Sequence, residues 1–247
     1  MPQNTSPALC LVLSYSLWSS VQRAGEFRPQ ECREDFPLAQ VETDGGWFFV
    51  AARSSSICHP HTLNHRAFAR ELRRVGCTHV VSASVCKSLD RNAVVPSLVI
   101  PDQFIDMHRV VDLPDTCDGI RFVDFSFPFC AGLRSRAYAA LGRQQRYAVL
   151  AEGCYVGVDG PRSETAAEAR AWRLLGGDVV GMTAVREAIA YREAGLCMAA
   201  VALVNDYGTG IIQSPVSSGE FGNLLLDGGR DLAAQMSTFR CECQRSL

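Results

Sequence analysis

A single α/β domain, with a mixed and mostly parallel sheet flanked by helices, is the fold class that the 247 residues predict. Three observations carry the prediction. Short β-branched runs alternate with stretches of helical spacing, the pattern of strands joined by covering helices. The longest of these runs, Cys197–Asn205, is apolar almost throughout, as expected of a strand covered on both faces. A chain that is 47% apolar and 20% charged also has the material for one full core. The expectation is therefore one domain over residues 1–247, without internal repeats.

The elements follow in chain order. Leu9–Leu13 and Trp47–Ala51 read as strands, Leu63–Val75 has helical spacing, and Thr78–Ser84 is the next strand. Further strands are predicted at Ser97–Ile100, Ala148–Glu152 and Cys154–Val158. Ser163-Glu164-Thr165-Ala166-Ala167-Glu168 is a helix start, a capping hydroxyl followed by early acids. That helix runs to Leu175, where Gly176-Gly177 ends it. Asp178–Gly181 is a short strand, Ala184–Ala194 a helix, and Cys197–Asn205 the long apolar strand. Residues 20–46 and 210–222 are the predicted loops.

Composition narrows the partners. The formal charge is -2, with Lys and Arg scattered rather than clustered, so there is no basic footprint for nucleic acid. Leu9–Leu17 has no positive region before it and no small-residue cleavage site after it, and it is too short to span a bilayer. It reads as a buried strand, in a protein with no membrane partner. The 11 cysteines lie mostly in apolar runs, which suits buried reduced thiols and a cytoplasmic location. Cys241-Glu242-Cys243 invites a metal reading, but the sequence supplies no matching His/Cys pair at ligand spacing. It is read as a loose polar terminus, and no metal is assigned.

In open α/β sheets, ligands bind beyond the carboxyl ends of the strands. Three polar clusters fall at such ends: Ser82–Ser88, Met182-Thr183, and Asn205-Asp206-Tyr207. Around them run Gly160-Pro161-Arg162-Ser163-Glu164-Thr165-Ala166-Ala167-Glu168, Gly181-Met182-Thr183-Ala184-Val185-Arg186-Glu187 and Val204-Asn205-Asp206-Tyr207. In order and spacing these segments resemble the trimeric purine nucleoside phosphorylase and methylthioadenosine phosphorylase family. His59-Pro60-His61-Thr62-Leu63-Asn64-His65-Arg66-Ala67, Pro101-Asp102-Gln103-Phe104-Ile105-Asp106 and Asp124-Phe125-Ser126-Phe127-Pro128-Phe129-Cys130 extend the resemblance over most of the chain. His59, His61 and His65 are spaced like metal ligands, yet they align with a family segment that binds none.

The resemblance implies a nucleoside phosphorylase-like fold and cleavage of an N-ribosidic bond. Phosphate attacks C1′ as the purine leaves, with no cofactor beyond phosphate as co-substrate. Position by position, it sets Met182 against the ribose, Thr183 on phosphate, Asp206 toward purine N7 and Glu164 on the edge of a 6-oxopurine. Asp206 and Glu164 are the implied catalytic pair, with Ser163, Asn205 and Tyr207 beside the substrate, and a homotrimer completing each site. The departures concentrate on the phosphate half. Val12-Leu13-Ser14-Tyr15-Ser16-Leu17 stands where the family has a glycine loop, and Arg53-Ser54-Ser55 where it has Arg-His-Gly. Ser163 replaces an aromatic, Lys87 a glycine, and Gly208 the second acid of an adenine-preferring pair. Glycines let backbone amides close on an anion, so their loss reshapes that cradle. The anion ligands left are Arg53, Ser84, Lys87 and Tyr15. Two alternatives stand beside phosphorolysis: a phosphate-independent nucleosidase or repurposed pocket, and a non-catalytic member of the family.

Overall fold

One long strand organises the molecule. The computed structural model describes residues 8–22, 27–32, 36–44, 46–109, 123–211, 221–239 and 241. In chain order the elements are β1 (Ala8–Leu13), α1 (Tyr15–Gln22), β2 (Arg28–Pro29), β3 (Leu38–Thr43), β4 (Gly46–Ala52), α2 (His65–Arg74), β5 (Cys77–Ser88), β6 (Ser97–Val99) and β7 (Gln103–Asp106). Then follow α3 (Ala131–Gly142), β8 (Ala148–Leu150), β9 (Cys154–Gly157), α4 (Ala166–Leu174), β10 (Val179–Gly181), α5 (Ala184–Glu193), β11 (Cys197–Tyr207) and α6 (Phe221–Met236). Strand β5 pairs with β1 along one side and with β11 along the other, both parallel. Its last residues, Lys87 and Ser88, pair antiparallel with β10. From these three junctions the sheet extends through β4, β3 and β2, through β6 and β8, and through β9 and β7.

The period-2 alternation of the central strands divides the core in two. In β1, Leu9, Leu11 and Leu13 join one cluster while Cys10 and Val12 join the other. In β11, Cys197, Ala199, Val201 and Leu203 share the first face, and Met198, Ala200, Ala202 and Val204 the second. Helices α1, α3 and α6 cover the first face, and α2 and α5 the second. Each fully buried Leu or Val contributes about 1.5–3 kcal/mol, so both faces must stay covered for the sheet to persist.

Local chemistry sets the helix ends. Thr165 caps α4: its hydroxyl accepts from Glu168 N at 3.2 Å, and Thr165 N donates to Glu168 Oε2 at 2.7 Å. Arg162 forks onto the same carboxylate at 2.7 and 2.8 Å. The helix stops where Gly176 takes a left-handed φ of 96°, with Gly177 N donating to Trp172 O. Asn64 caps α2, accepting from Ala67 N at 2.9 Å.

The single-domain α/β prediction and all eight predicted strands stand, with shifted ends. The predicted helix Leu63–Val75 is shorter, because a 3-10 turn over Pro60–Thr62 precedes the Asn64 cap. The supposed loop at 20–46 contains β2 and β3, an antiparallel edge with little alternation to reveal it. Of the supposed loop at 210–222, residues 212–220 lie outside the described residues, while Phe221 and Gly222 open α6. Helices α3 and α6 and strand β7 were not predicted, and the run Leu9–Leu17, read as one buried strand, ends as strand at Leu13 and enters α1 at Tyr15. No helix among the described residues is long and apolar enough to cross a membrane.

Thr165→Ala should lower stability by about 1 kcal/mol, since it leaves first-turn amides of α4 without their acceptor. Urea unfolding measures it, and Thr165→Ser should retain most of the difference.

Candidate active site

The carboxyl ends of β4, β5, β10 and β11 open on a cleft of about 500 Å³. Its lining includes Tyr15, Arg53, Ser84, Lys87, Ser163, Glu164, Met182, Thr183 and Asn205. Nine residues proposed from sequence thus meet in one cavity, although they come from segments up to 190 positions apart. Asp206 and Tyr207 do not line it. A bulge between Val204 and Asp206 shifts the register of β11 on β5, so that Asp206 lies opposite Lys87. Asn205 is the residue left facing the cleft, while Tyr207 donates its hydroxyl to Ala93 O at 2.8 Å.

Beneath the cleft lies a buried ion pair. Arg53 follows β4, and its Nε donates to Glu187 Oε1 at 2.6 Å while an NH2 group reaches Glu187 Oε2 at 3.2 Å. The same nitrogen donates to Ser82 Oγ at 2.6 Å, and Ser82 donates to Glu187 Oε2 at 2.7 Å. The two side chains are only 5% and 0% exposed. Burial alone would raise the Glu187 carboxyl's pKa, but the Arg53 charge and these hydrogen bonds outweigh it and hold it below the ordinary carboxylate range. Arg53, expected as a free anion ligand, is therefore largely committed to a carboxylate. Sequence reasoning missed Ser82 and Glu187 as its partners, since nothing in their spacing shows that β4, β5 and α5 converge.

A second cluster forms the opposite wall. Glu164 is buried, and its Oε1 accepts from Thr209 N at 2.7 Å and Thr209 Oγ1 at 3.1 Å. Lys87 Nζ lies 3.4 Å from that oxygen and 3.3 Å from Ser163 Oγ. Lys87 thus engages the Glu164 wall. Met182 seats against Gly160, whose φ of 66° and lack of a Cβ admit the thioether; any side chain there would strike the sulfur.

Two helix starts face the cavity. The chain passes from β1 through Ser14 directly into α1, and Ser14 Oγ accepts from Leu17 N at 3.4 Å. This short helix occupies the place where the resembled family has a glycine loop, which the sequence here lacks. Thr183 is the N-cap of α5 but makes no capping bond, and its Oγ1 is buried without a hydrogen-bond partner. A buried hydroxyl in that state costs roughly 1–3 kcal/mol. Beside the first amides of a helix, it is a donor awaiting an acceptor such as an anionic oxygen. Ser84 Oγ stands 3.5 Å from the buried Tyr155 hydroxyl, completing a lining rich in hydroxyls.

The chain is similar to known proteins over most of its length. Residues 35–238 match the family model described as the phosphorylase superfamily. The chain is 36% identical over 206 residues to the 6-oxopurine nucleoside phosphorylase of Pyrococcus furiosus, covering 76% of this chain and 77% of that protein. It is 34% identical over 203 residues to the S-methyl-5'-thioadenosine phosphorylase of Hyperthermus butylicus, covering 76% and 73%. In fold it is similar to the methylthioadenosine phosphorylase from Schistosoma mansoni solved in complex with adenine, with a TM-score of 0.78, 21% identity and coverage of 94% and 93%.

Glu187→Ala should cost about 3–5 kcal/mol of stability, because it strands the buried Arg53 guanidinium. In Arg53→Met with Glu187→Leu much of that loss should return. Acid unfolding checks the sign. Because the native Glu187 pKa is depressed, the pair's contribution is complete above the unfolded carboxyl value near ~4.3 and disappears as pH falls through the lower native value.

Proposed function

The chain belongs to the phosphorylase superfamily, and on that premise we propose that it is a pentosyl-transferring enzyme of the purine nucleoside phosphorylase kind. Inorganic phosphate attacks C1′ of a purine nucleoside, or of its 5′-modified analogue, and the purine departs. No cofactor takes part.

The observation that carries this reading is the buried, unpartnered Thr183 Oγ1 at the start of α5, in the same cleft as Met182, Ser84, Glu164 and Asn205. In this reading the first amides of α5 and α1, with Thr183, Ser84 and Tyr15, bind phosphate, compensating for an Arg53 already engaged by Glu187. Met182 packs on the ribose. As the glycosidic bond breaks, positive charge develops on the sugar and negative charge on the base, so a group at the purine edge that donates a proton or hydrogen bond speeds departure. Asn205, the β11 residue that faces the cleft, donates its amide N–H to N7, the role that the resemblance implied for Asp206. Glu164 receives N–H groups of the base, its other oxygen being held by Thr209. Relatives whose names specify 6-oxopurine nucleosides and methylthioadenosine support both substrate classes. We further assign the protein to a homotrimer in the cytoplasm, with exposed Phe127 available to a neighbouring subunit.

Purified protein should release free purine from inosine, adenosine or a 5′-methylthio analogue only when phosphate is present; equal release without phosphate would replace phosphorolysis by hydrolysis. Thr183→Ala should raise the phosphate KM on the order of ten- to a hundredfold, the loss of about 1.5–3 kcal/mol from a charge-assisted hydrogen bond. Asn205→Ala should lower kcat with little change in phosphate KM. Sedimentation equilibrium measures the trimer.

A further inference from the structure

The C-terminal cysteine segment, which has no matching ligand pair in the sequence, meets one in the fold. At the amino ends of the central strands, opposite the cleft, His79 of β5 and Cys197 of β11 are direct partners across a parallel pairing. Their side chains therefore leave the sheet on the same face. Cys241 comes over them from beyond α6. The ligating atoms of His79, Cys197 and Cys241 all lie within 4.8 Å of one another. Cys197 Sγ is 3.3 Å from Cys241 Sγ, and Cys130 Sγ, at the start of α3, is 3.2 Å from it.

The imidazole is prepared for a ligand. Thr78 Oγ1 is hydrogen-bonded to His79 Nδ1 at 2.9 Å, which holds the ring in place. An outer hydroxyl on one ring nitrogen is the arrangement that orients a histidine to bind a metal through the other. Nε2 is buried and has no hydrogen-bond partner. Phe239 packs edge-on against the ring at 5.0 Å, and His79, Cys197 and Cys130 are each at most 6% exposed. An imidazole lone pair and several sulfurs in a dry pocket suit a soft, tetrahedral cation, whose ligand atoms sit roughly 3.5–3.8 Å apart given metal–sulfur and metal–nitrogen bonds of about 2.3 and 2.0 Å.

We propose that, once Cys241 is reduced, His79, Cys197 and Cys241 bind a divalent cation of the zinc class, with Cys130 as the fourth ligand. Cys241 takes part in a disulfide in the structure, so binding follows two-electron reduction of that bond, which returns Cys241 and its partner cysteine as two thiols while a thiol reductant becomes a disulfide or a phosphine its oxide. Each ligating thiol then releases one proton as its metal–sulfur bond forms, while the neutral imidazole binds through Nε2. The site ties the C-terminal segment to the floor of the sheet and takes no part in the proposed chemistry of the cleft.

The full chain is reduced with a phosphine, freed of it by anaerobic gel filtration, and titrated with Co2+ alone. A stoichiometric thiolate-to-cobalt charge-transfer band with the d–d bands of a tetrahedral site, bleached by Zn2+, is the expected result. Cys241→Ser and Cys197→Ser should lose the band while Cys58→Ser, at an exposed thiol, keeps it. His79→Gln should weaken binding at least tenfold. Circular dichroism checks that each variant is folded, and if Cys197→Ser is not, Cys241→Ser at the chain's end decides. Reduced wild-type protein without the band, or Cys241→Ser with an undiminished one, overturns the proposal.

Discussion

The buried pair of Arg53 and Glu187 is the constraint on which the rest of the cleft depends. It joins the end of β4 to the first turn of α5, with Ser82 of β5 filling the remaining donor and acceptor sites. Two ions withdrawn from water are tolerated only when their geometry and hydrogen bonds are nearly complete, so the three elements cannot shift independently. The positions of Ser84, two residues along β5, and of Thr183, at the start of α5, follow from that anchorage.

The pair also decides what kind of cleft this is. The guanidinium charge is paired from beneath and Lys87 is set beside Glu164, so among the described lining residues both Lys and Arg side chains face a carboxylate. The phosphate of the proposed reaction is met by oriented dipoles, the amides at two helix starts and the hydroxyls of Tyr15, Ser84 and Thr183. Dipoles fixed in place need no reorganisation when charge develops, which is how a cleft whose described cations are paired can still favour a charged transition state.

The parallel strands give the molecule two chemically different ends. At their carboxyl ends β5 and β11 carry Ser84, Lys87 and Asn205 into the cleft; at their amino ends they carry His79 and Cys197 toward the C-terminal segment. Between the ends the two strands are almost wholly apolar on both faces, so neither end touches the other except through the packed sheet. One pair of strands can therefore support two unrelated polar sites.

Much of this was legible in the sequence. The alternation of β-branched and helical stretches determined the fold class. The long apolar run determined the central strand β11, and the Thr165 box with Gly176-Gly177 determined both ends of α4, because each is a local pattern whose physics acts over a few residues. The ordered polar segments also named nine of the residues that line the cleft. Tertiary structure alone decided which donors were already spent: that Arg53 is held by Glu187, that Lys87 turns to Glu164, and that a bulge presents Asn205 where alternation would continue unbroken. It alone brought His79, Cys197 and Cys241 together from three distant parts of the chain. Sequence spacing records neighbours along the chain, whereas hydrogen-bond satisfaction and ligand geometry depend on neighbours in space, and those exist only after the sheet has formed.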